Sequence, residues 1–496
     1  MELAATLHQR TLNHPAKAAL ITPTETLTYG QLYATAWDLA VRIGRGAHTR
    51  ARSGQPSRVG LLASNPVDLI AGYYAGALSG TSVVILDPVW PDLRLRTVIA
   101  DLGLEQIICG ARTTPLVGEL APEVERHSVV RHGGTDVFVA PEHIDSDHEL
   151  MVVFTSGTTT SPKAICRSRA SWQASLRVGT RILHATASQV TLVPGPLAHG
   201  LSLYAAVESI TTGGTALLTG KWDSSAVSTL LARYECTRVV AVPSILGRLL
   251  AEHRQQLNSL QFVICGGEAL SPALRDAYEA LAPVQDVVEY YGTSEHSLIA
   301  YRTSADAALP RSAGFTGRSF PGVDIQIHQA NPQTGIGEIF VHSPMLASDY
   351  HHSSTESFRR RGRRVSVQDH GSYARGILQM AGRAGGMINL GGNNLHPSEV
   401  GEALARALGV TESRLLLASD PSGEARLVAF LLAADLGDRR NPQLLLDLLH
   451  HQLPKYKIPH ELALLDHWPM TNSGKISTSR LLEAHAGQQA TRVVLR

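Results

Sequence analysis

Residues 151–165 read MVVFTSGTTTSPKAI: an apolar run, Met151–Phe154, opens into a stretch with six hydroxyl side chains, Gly157 and Lys163. A buried strand ending in such a loop can converge backbone N–H groups and short hydroxyl donors on one point, an arrangement that collects phosphate oxygens. Gly157 lets the backbone approach closely, and Lys163 adds positive charge. Pro162 precedes the lysine, so this is not the GxxxxGK[ST] loop of kinases and GTPases. The chemistry open to these residues is the holding of a polyphosphate.

The segment resembles the phosphate-loop signature TSGTTGxPK of the acyl-adenylate-forming superfamily: acyl- and aryl-CoA synthetases, nonribosomal peptide adenylation domains and firefly luciferases. Thr160 stands where a glycine is customary. The resemblance covers nearly the whole chain. LTYGQL (27–32) and LDPVWPDLRL (86–95) resemble early, mainly structural motifs, and PMTNSGKIS (469–477) resembles the C-terminal lysine motif PxTxxGK.

The resemblance implies roles for particular residues. Thr155, Ser156, Gly157, Thr158 and Thr159 would bind the nucleotide phosphates, with Lys163 among the catalytic groups. In VVEYYGTSE (287–295), Tyr291 would stack on adenine beside Gly292, Thr293 would bond the α-phosphate, and Glu295 would help hold Mg2+. Magnesium suits that position, because it is a hard ion that takes one or two carboxylates beside substrate phosphates. In ICGGEAL (264–270), Gly266, Gly267 and Glu268 would lie beside the adenine and the acyl pocket, the paired glycines letting flat groups approach. In SVQDHGSYARGILQMAGR (366–383), Asp369 would accept from both ribose hydroxyls and Arg383 would touch ribose or phosphate; Val367 and Gln368 replace a customary Thr-Gly. Lys475 would reach into the site during adenylation, where a cation offsets charge as a carboxylate oxygen attacks phosphorus. Gly385 falls at the hinge position, usually Asp or Lys.

VPGPLAHGLSL (193–203) resembles the acid-pocket segment, with His199 lining the carboxylate site. Amino-acid adenylating domains usually carry an aspartate in this segment, and no Asp occurs between Pro194 and Gly220. A buried ammonium without a counter-ion is expensive, so an aryl or acyl acid is favoured over an α-amino acid. The implied reaction is ATP-dependent formation of acyl-AMP and pyrophosphate. Transfer to a thiol follows, on CoA or on the phosphopantetheine of an acyl or peptidyl carrier protein. The chain ends about twenty residues after Lys475, so that carrier is expected to be a separate molecule. Two alternatives stay open: a catalytically reduced acyl- or adenylate-binding protein, and a stand-alone amino-acid adenylating domain.

These groups must be carried by alternating strands and helices. Short apolar runs such as Arg58–Ala63, Thr81–Leu86, Val190–Pro194 and Phe262–Cys265 alternate with Ala-rich helical stretches such as Pro66–Ser79. Continuous apolar runs read as buried, largely parallel strands, hence an α/β fold. From 313 the strand-like pieces VDIQIH and GEIFVH between Pro and Gly turns predict a small β-barrel-like subdomain. Asp349–Arg364, with its arginine run, reads as an exposed loop. The expected division is a large domain over 1–382, with the β-rich part from 313, a hinge at 383–386, and a small mobile α+β domain over 387–496.

The 44 basic residues nearly cancel the 43 acidic ones, a net charge of +1 that provides no field for gripping nucleic acid. Cys109, Cys166, Cys236 and Cys265 are scattered without a CxxC pair, which argues against a zinc site or a disulfide framework. No stretch approaches the ~20 apolar residues of a membrane span, and the N-terminus lacks a signal-peptide pattern. The expected location is cytoplasmic.

Overall fold

The structure is a computed structural model that describes residues 3–47, 56–133, 138–154, 163–310, 315–350, 358–383, 388–390, 393–395, 397–419, 425–453, 455–471, 474–487 and 489–495. A seven-stranded sheet runs in the order Asp349–Tyr350, Ala164–Ser168, Glu149–Phe154, Ser82–Ile85, Arg58–Leu62, Gln106–Cys109, Glu125–Ser128. Its last five strands are parallel, and their continuous burial is why Arg58–Leu62 and Ser82–Ile85 read as unbroken apolar runs. The second sheet has a parallel stretch in the order Ala18–Ile21, Thr215–Leu218, Val190–Val193, Arg238–Ala241, Phe262–Gly266, Asp286–Thr293.

One core cluster draws side chains from both sheets and from the helices Leu3–Asn13, Tyr29–Ala47, Pro66–Ser79 and Gly200–Thr212. Pro66–Ser79 is buried from Val67 to Leu78, as befits a helix enclosed on all sides. Asn65 starts it by accepting from Val67 N, Pro66 fills its first turn, and Gly80 at φ 81° ends it. Arg169, itself buried, donates to the carbonyls of Gly76 and Ala77 at its C-terminal end.

The β-rich stretch is present, but it continues the second sheet. Asp286–Thr293 pairs with Ser297–Arg302, which pairs with Thr316–Ser319 and then Ile377–Arg383 and Asp369–Ala374, all antiparallel. The arginine run is exposed as its charge suggests, but it is strand and not loop. Arg359–Arg361 and Arg364–Ser366 pair as a hairpin, with Arg359 on Glu338 at 2.9 Å and Arg364 on Asp324 at 2.6 Å. Carboxylates from the neighbouring hairpin offset the charge that spoke for a loop.

Beyond the hinge position, the strands Arg414–Ser419, Ala425–Leu432, Glu461–Leu465 and Thr491–Val494 form a separate sheet with its own apolar clusters. Among the described residues, no helix is long and apolar enough to cross a membrane.

Candidate active site

A cavity of about 1560 Å3 opens where the carboxyl ends of the two parallel stretches meet. Ligands bind in such crevices because the chain leaves each strand there in a loop free to carry function. Asp87 follows the strand Ser82–Ile85, His199 follows Val190–Val193, Gly267 and Glu268 follow Phe262–Gly266, and Thr293 ends Asp286–Thr293; all line the cavity. Lys163, Tyr291, Gly292, Glu295, Asp369 and Lys475 line it too. The fold thus gathers these motifs into one space. Thr155, Ser156, Gly157, Thr158, Thr159, Thr160 and Gly385 lie outside the described residues, and of Arg383 only the backbone is described, paired with Asp369 across the antiparallel ladder.

At one end, the Tyr291 hydroxyl donates to Asp369 Oδ2 at 2.5 Å, which sets an aromatic face beside a buried carboxylate. Thr293 faces His296. His296 Nε2 lies 3.1 Å from the carbonyl of Val365, which can only accept, so Nε2 carries the proton and Nδ1 accepts from the Thr293 hydroxyl at 3.1 Å. Burial pushes His296 below its ordinary pKa, in keeping with a neutral ring. In this pose the Thr293 hydroxyl proton is therefore committed to His296. Glu295 is buried and accepts from the Tyr350 hydroxyl at 2.7 Å. The Lys163 ammonium lies 5.6 Å from the centre of the Tyr350 ring, a cation–π contact, and Phe358 stacks on the same ring. Tyr350 reaches this place because Asp349–Tyr350 pairs with Ala164–Ser168, the strand that follows Lys163.

The paired glycines divide their work. A Cβ on Gly266 would lie 2.7 Å from the Tyr290 ring, so Gly266 is needed for packing, and it does not line the cavity as the resemblance implied. Gly267, at φ +87°, does line it, and a Cβ there would stand 3.5 Å from Lys475 Cε and 3.8 Å from its Nζ. Lys475 sits on a tight turn: Thr471 N donates to its carbonyl, its own N–H donates to Thr471 Oγ1, and Gly474 supplies φ +81°. Ser244 holds the Gly474 carbonyl and Arg414 meets Glu268 at 3.2 Å, so segments following two neighbouring strands contact the C-terminal part. Burial raises the Glu268 pKa, with Arg414 and Lys475 pulling the other way.

Trp172, Leu201, Tyr204, Tyr290 and Leu298 also line the cavity, as does His199. No aspartate occurs in the acid-pocket segment, yet Asp87, from a distant stretch, brings Oδ2 to 3.5 Å from His199 Nε2. Glu208, on the helix Gly200–Thr212 that follows His199, is fully buried against Arg238 and does not line the cavity. Burial lowers the His199 pKa; Asp87 opposes that shift and Lys475 adds to it. Sequence reasoning also missed Arg167 and Tyr350; an arginine inside the otherwise apolar strand Ala164–Ser168 was a readable sign.

Residues 7–351 match the family of AMP-binding enzymes. The chain belongs to that family. This AMP-binding enzyme is 28% identical over 474 residues to an uncharacterized acyl-CoA ligase, YhfT, of Bacillus subtilis, with 94% of this chain and 95% of that protein covered. Its fold is that of ATP-bound MatB from Rhodopseudomonas palustris, with a TM-score of 0.81, 21% identity and 98% of each chain covered. It is equally that of o-succinylbenzoate CoA synthetase from Bacillus subtilis in complex with its acyl-adenylate, with a TM-score of 0.76, 23% identity, and 96% and 98% covered.

The chain is an AMP-forming ligase that uses ATP with Mg2+. The donor set fits the ion: Glu295 gives one buried carboxylate to the cavity that Lys163 also lines, and a hard cation of this kind takes its remaining oxygens from phosphates and water. When bound, Mg2+ supplies charge neutralisation of the phosphates.

Proposed function

We propose that this chain joins an aryl or acyl carboxylate to CoA by way of an acyl-adenylate. The position of Lys475 carries the reading: it enters the cavity beside Gly267, and its charge reaches both His199 and Glu268. A carboxylate oxygen attacks the α-phosphorus, the bond to the pyrophosphate oxygen breaks, and pyrophosphate leaves with its electron pair. No proton moves, because the acid is already ionised. Lys163 and Lys475 offset the charge that builds on the phosphate oxygens, and closure of the C-terminal part excludes water. Tyr291 and Asp369 hold the nucleoside, while the aromatic lining around His199 takes the acid's body.

In the second half, a thiol sulfur bonds to the acyl carbon, the thiol proton passes to solvent, and AMP leaves. Lys475 and its turn stand where the thiol must enter, so residues 387–496 rotate away from 1–382 about 383–386. The name of the Bacillus subtilis relative supports CoA as acceptor. Aryl, fatty and amino acids are to be tested for acid-dependent exchange of labelled pyrophosphate into ATP. The best acid is then offered CoA or a phosphopantetheinylated carrier protein. An aryl or acyl acid should lead, with thioester forming on CoA. Exchange with no acid on the panel, or thioester on the carrier alone, would overturn the reading.

A further inference from the structure

Arg167 is only 1% exposed and lines the cavity, yet among the described residues it has no carboxylate within 4 Å. Its guanidinium donates instead to two backbone carbonyls, Ser294 at 2.9 Å and Met345 at 2.6 Å, and weakly to Ser175 Oγ at 3.4 Å. Among the described residues its Nε has no hydrogen-bond partner, and the Trp172 ring lies 5.4 Å from Cζ. Burial lowers its pKa to about 10, with Glu295 counteracting. Burying a guanidinium without a carboxylate partner is costly, and hydrogen bonds to carbonyls offset only part of that cost.

What the arrangement does supply is a junction. Arg167 lies on the strand that leaves the phosphate loop, four residues after Lys163. Ser294 is the residue between Thr293 and Glu295. Met345 opens the segment in which Ala347 N donates to the Glu295 carbonyl at 2.7 Å and Tyr350 bonds the Glu295 carboxylate. All three pieces of the phosphate and metal end are therefore tied to one guanidinium. Its planar fork directs N–H groups from two nitrogens at two carbonyls in a fixed geometry, which neither methionine nor a lysine ammonium reproduces.

We propose that Arg167 is a positioning residue that orients Thr293 and Glu295 for Mg·ATP by holding the Ser294 and Met345 carbonyls. This rests on the reading that Thr293 and Glu295 face the phosphates and the ion. The parent chain tests that reading first: it should bind the α,β-methylene analogue of ATP more tightly with Mg2+ than without. A parent that binds equally in both refutes the placement of the ion, independently of Arg167.

The test of Arg167 is calorimetric titration of the same analogue into Arg167→Met and Arg167→Lys, with and without Mg2+, together with urea unfolding. Groups that support a metal ligand from behind typically change affinity by about 10–100-fold when removed. Arg167→Met should still show a cooperative urea transition, bind the analogue roughly tenfold or more weakly in Mg2+, and change little without it. Arg167→Lys should recover part of the loss, and the acid's KM should stay within about twofold in both, since the defect lies at the phosphate end. Parent-like binding in Mg2+ by a folded Arg167→Met overturns the proposal. So does equal weakening with and without the ion. Should the Met variant not fold, Arg167→Gln is titrated in its place on the same criteria. Failure of both to fold makes Arg167 a structural residue and likewise overturns it.

Discussion

Replacing Lys475 with methionine keeps most of the side chain's length and removes its charge. The turn that carries it should survive, because Thr471 bonds the backbone N–H and carbonyl of residue 475, which the substitution keeps. The lost charge lies within about 4 Å of the Gly267 position, and at that range a unit charge facing a phosphate oxygen interacts by roughly 4 kcal/mol at an effective dielectric near 20. Loss of one preorganised charge-stabilising donor costs about 2.7–4 kcal/mol, so adenylation should fall about a hundred- to a thousandfold. The assay is acid-dependent exchange of labelled pyrophosphate into ATP. A second arm supplies the acyl-adenylate ready-made and measures thioester formation on CoA, which should stay within about threefold because Lys475 has then left the site. Exchange at the parent's rate would remove Lys475 from the mechanism; equal loss in both arms would mean general damage.

Arg414→Ala removes a half-exposed pair with Glu268, worth about 0.2–1 kcal/mol, so exchange should drop less than about fivefold while thioester formation from supplied adenylate is unchanged; a reversed pattern contradicts a closing role. Arg238→Met strands the fully buried Glu208 and should cost about 3–5 kcal/mol in denaturant unfolding, most of it recovered by Arg238→Met with Glu208→Leu; an inert single variant refutes the pairing. His199 is pushed down by burial, so the folded chain binds its proton less readily than the unfolded one, and stability falls as pH drops through the unfolded value of about 6.5. His199→Gln should therefore lose less melting temperature between pH 7.5 and 5.5 than the parent, and an equal loss argues against the assignment. Gly385→Pro fixes φ near about −65° and should keep much of the exchange but lose most thioester formation; survival of both activities puts the hinge elsewhere.

Much of the fold was legible because its signals are local. Pro66–Ser79 has a capping asparagine, a first-turn proline and a terminal glycine, and its boundaries can be read from those residues alone. Gly337–His342 and Arg414–Ser419 likewise fall where their apolar patterns place them. The strand Glu461–Leu465 and the helix Thr478–Ala486 were not singled out in the sequence; the motif at 469–477 lies between them.

By itself the sequence determined the α/β class and named most of the motif residues that line the cavity. Only the tertiary structure decided that Asp87 faces His199, that Tyr350 bonds Glu295, that Arg167 ties Ser294 to Met345, and that Glu268 meets Arg414. Each of these joins residues more than fifty positions apart. Periodicity and capping report what a residue's near neighbours in the chain impose on it. Which strand ends share a crevice follows from sheet order, and sheet order is settled by burying the faces of both sheets in one core.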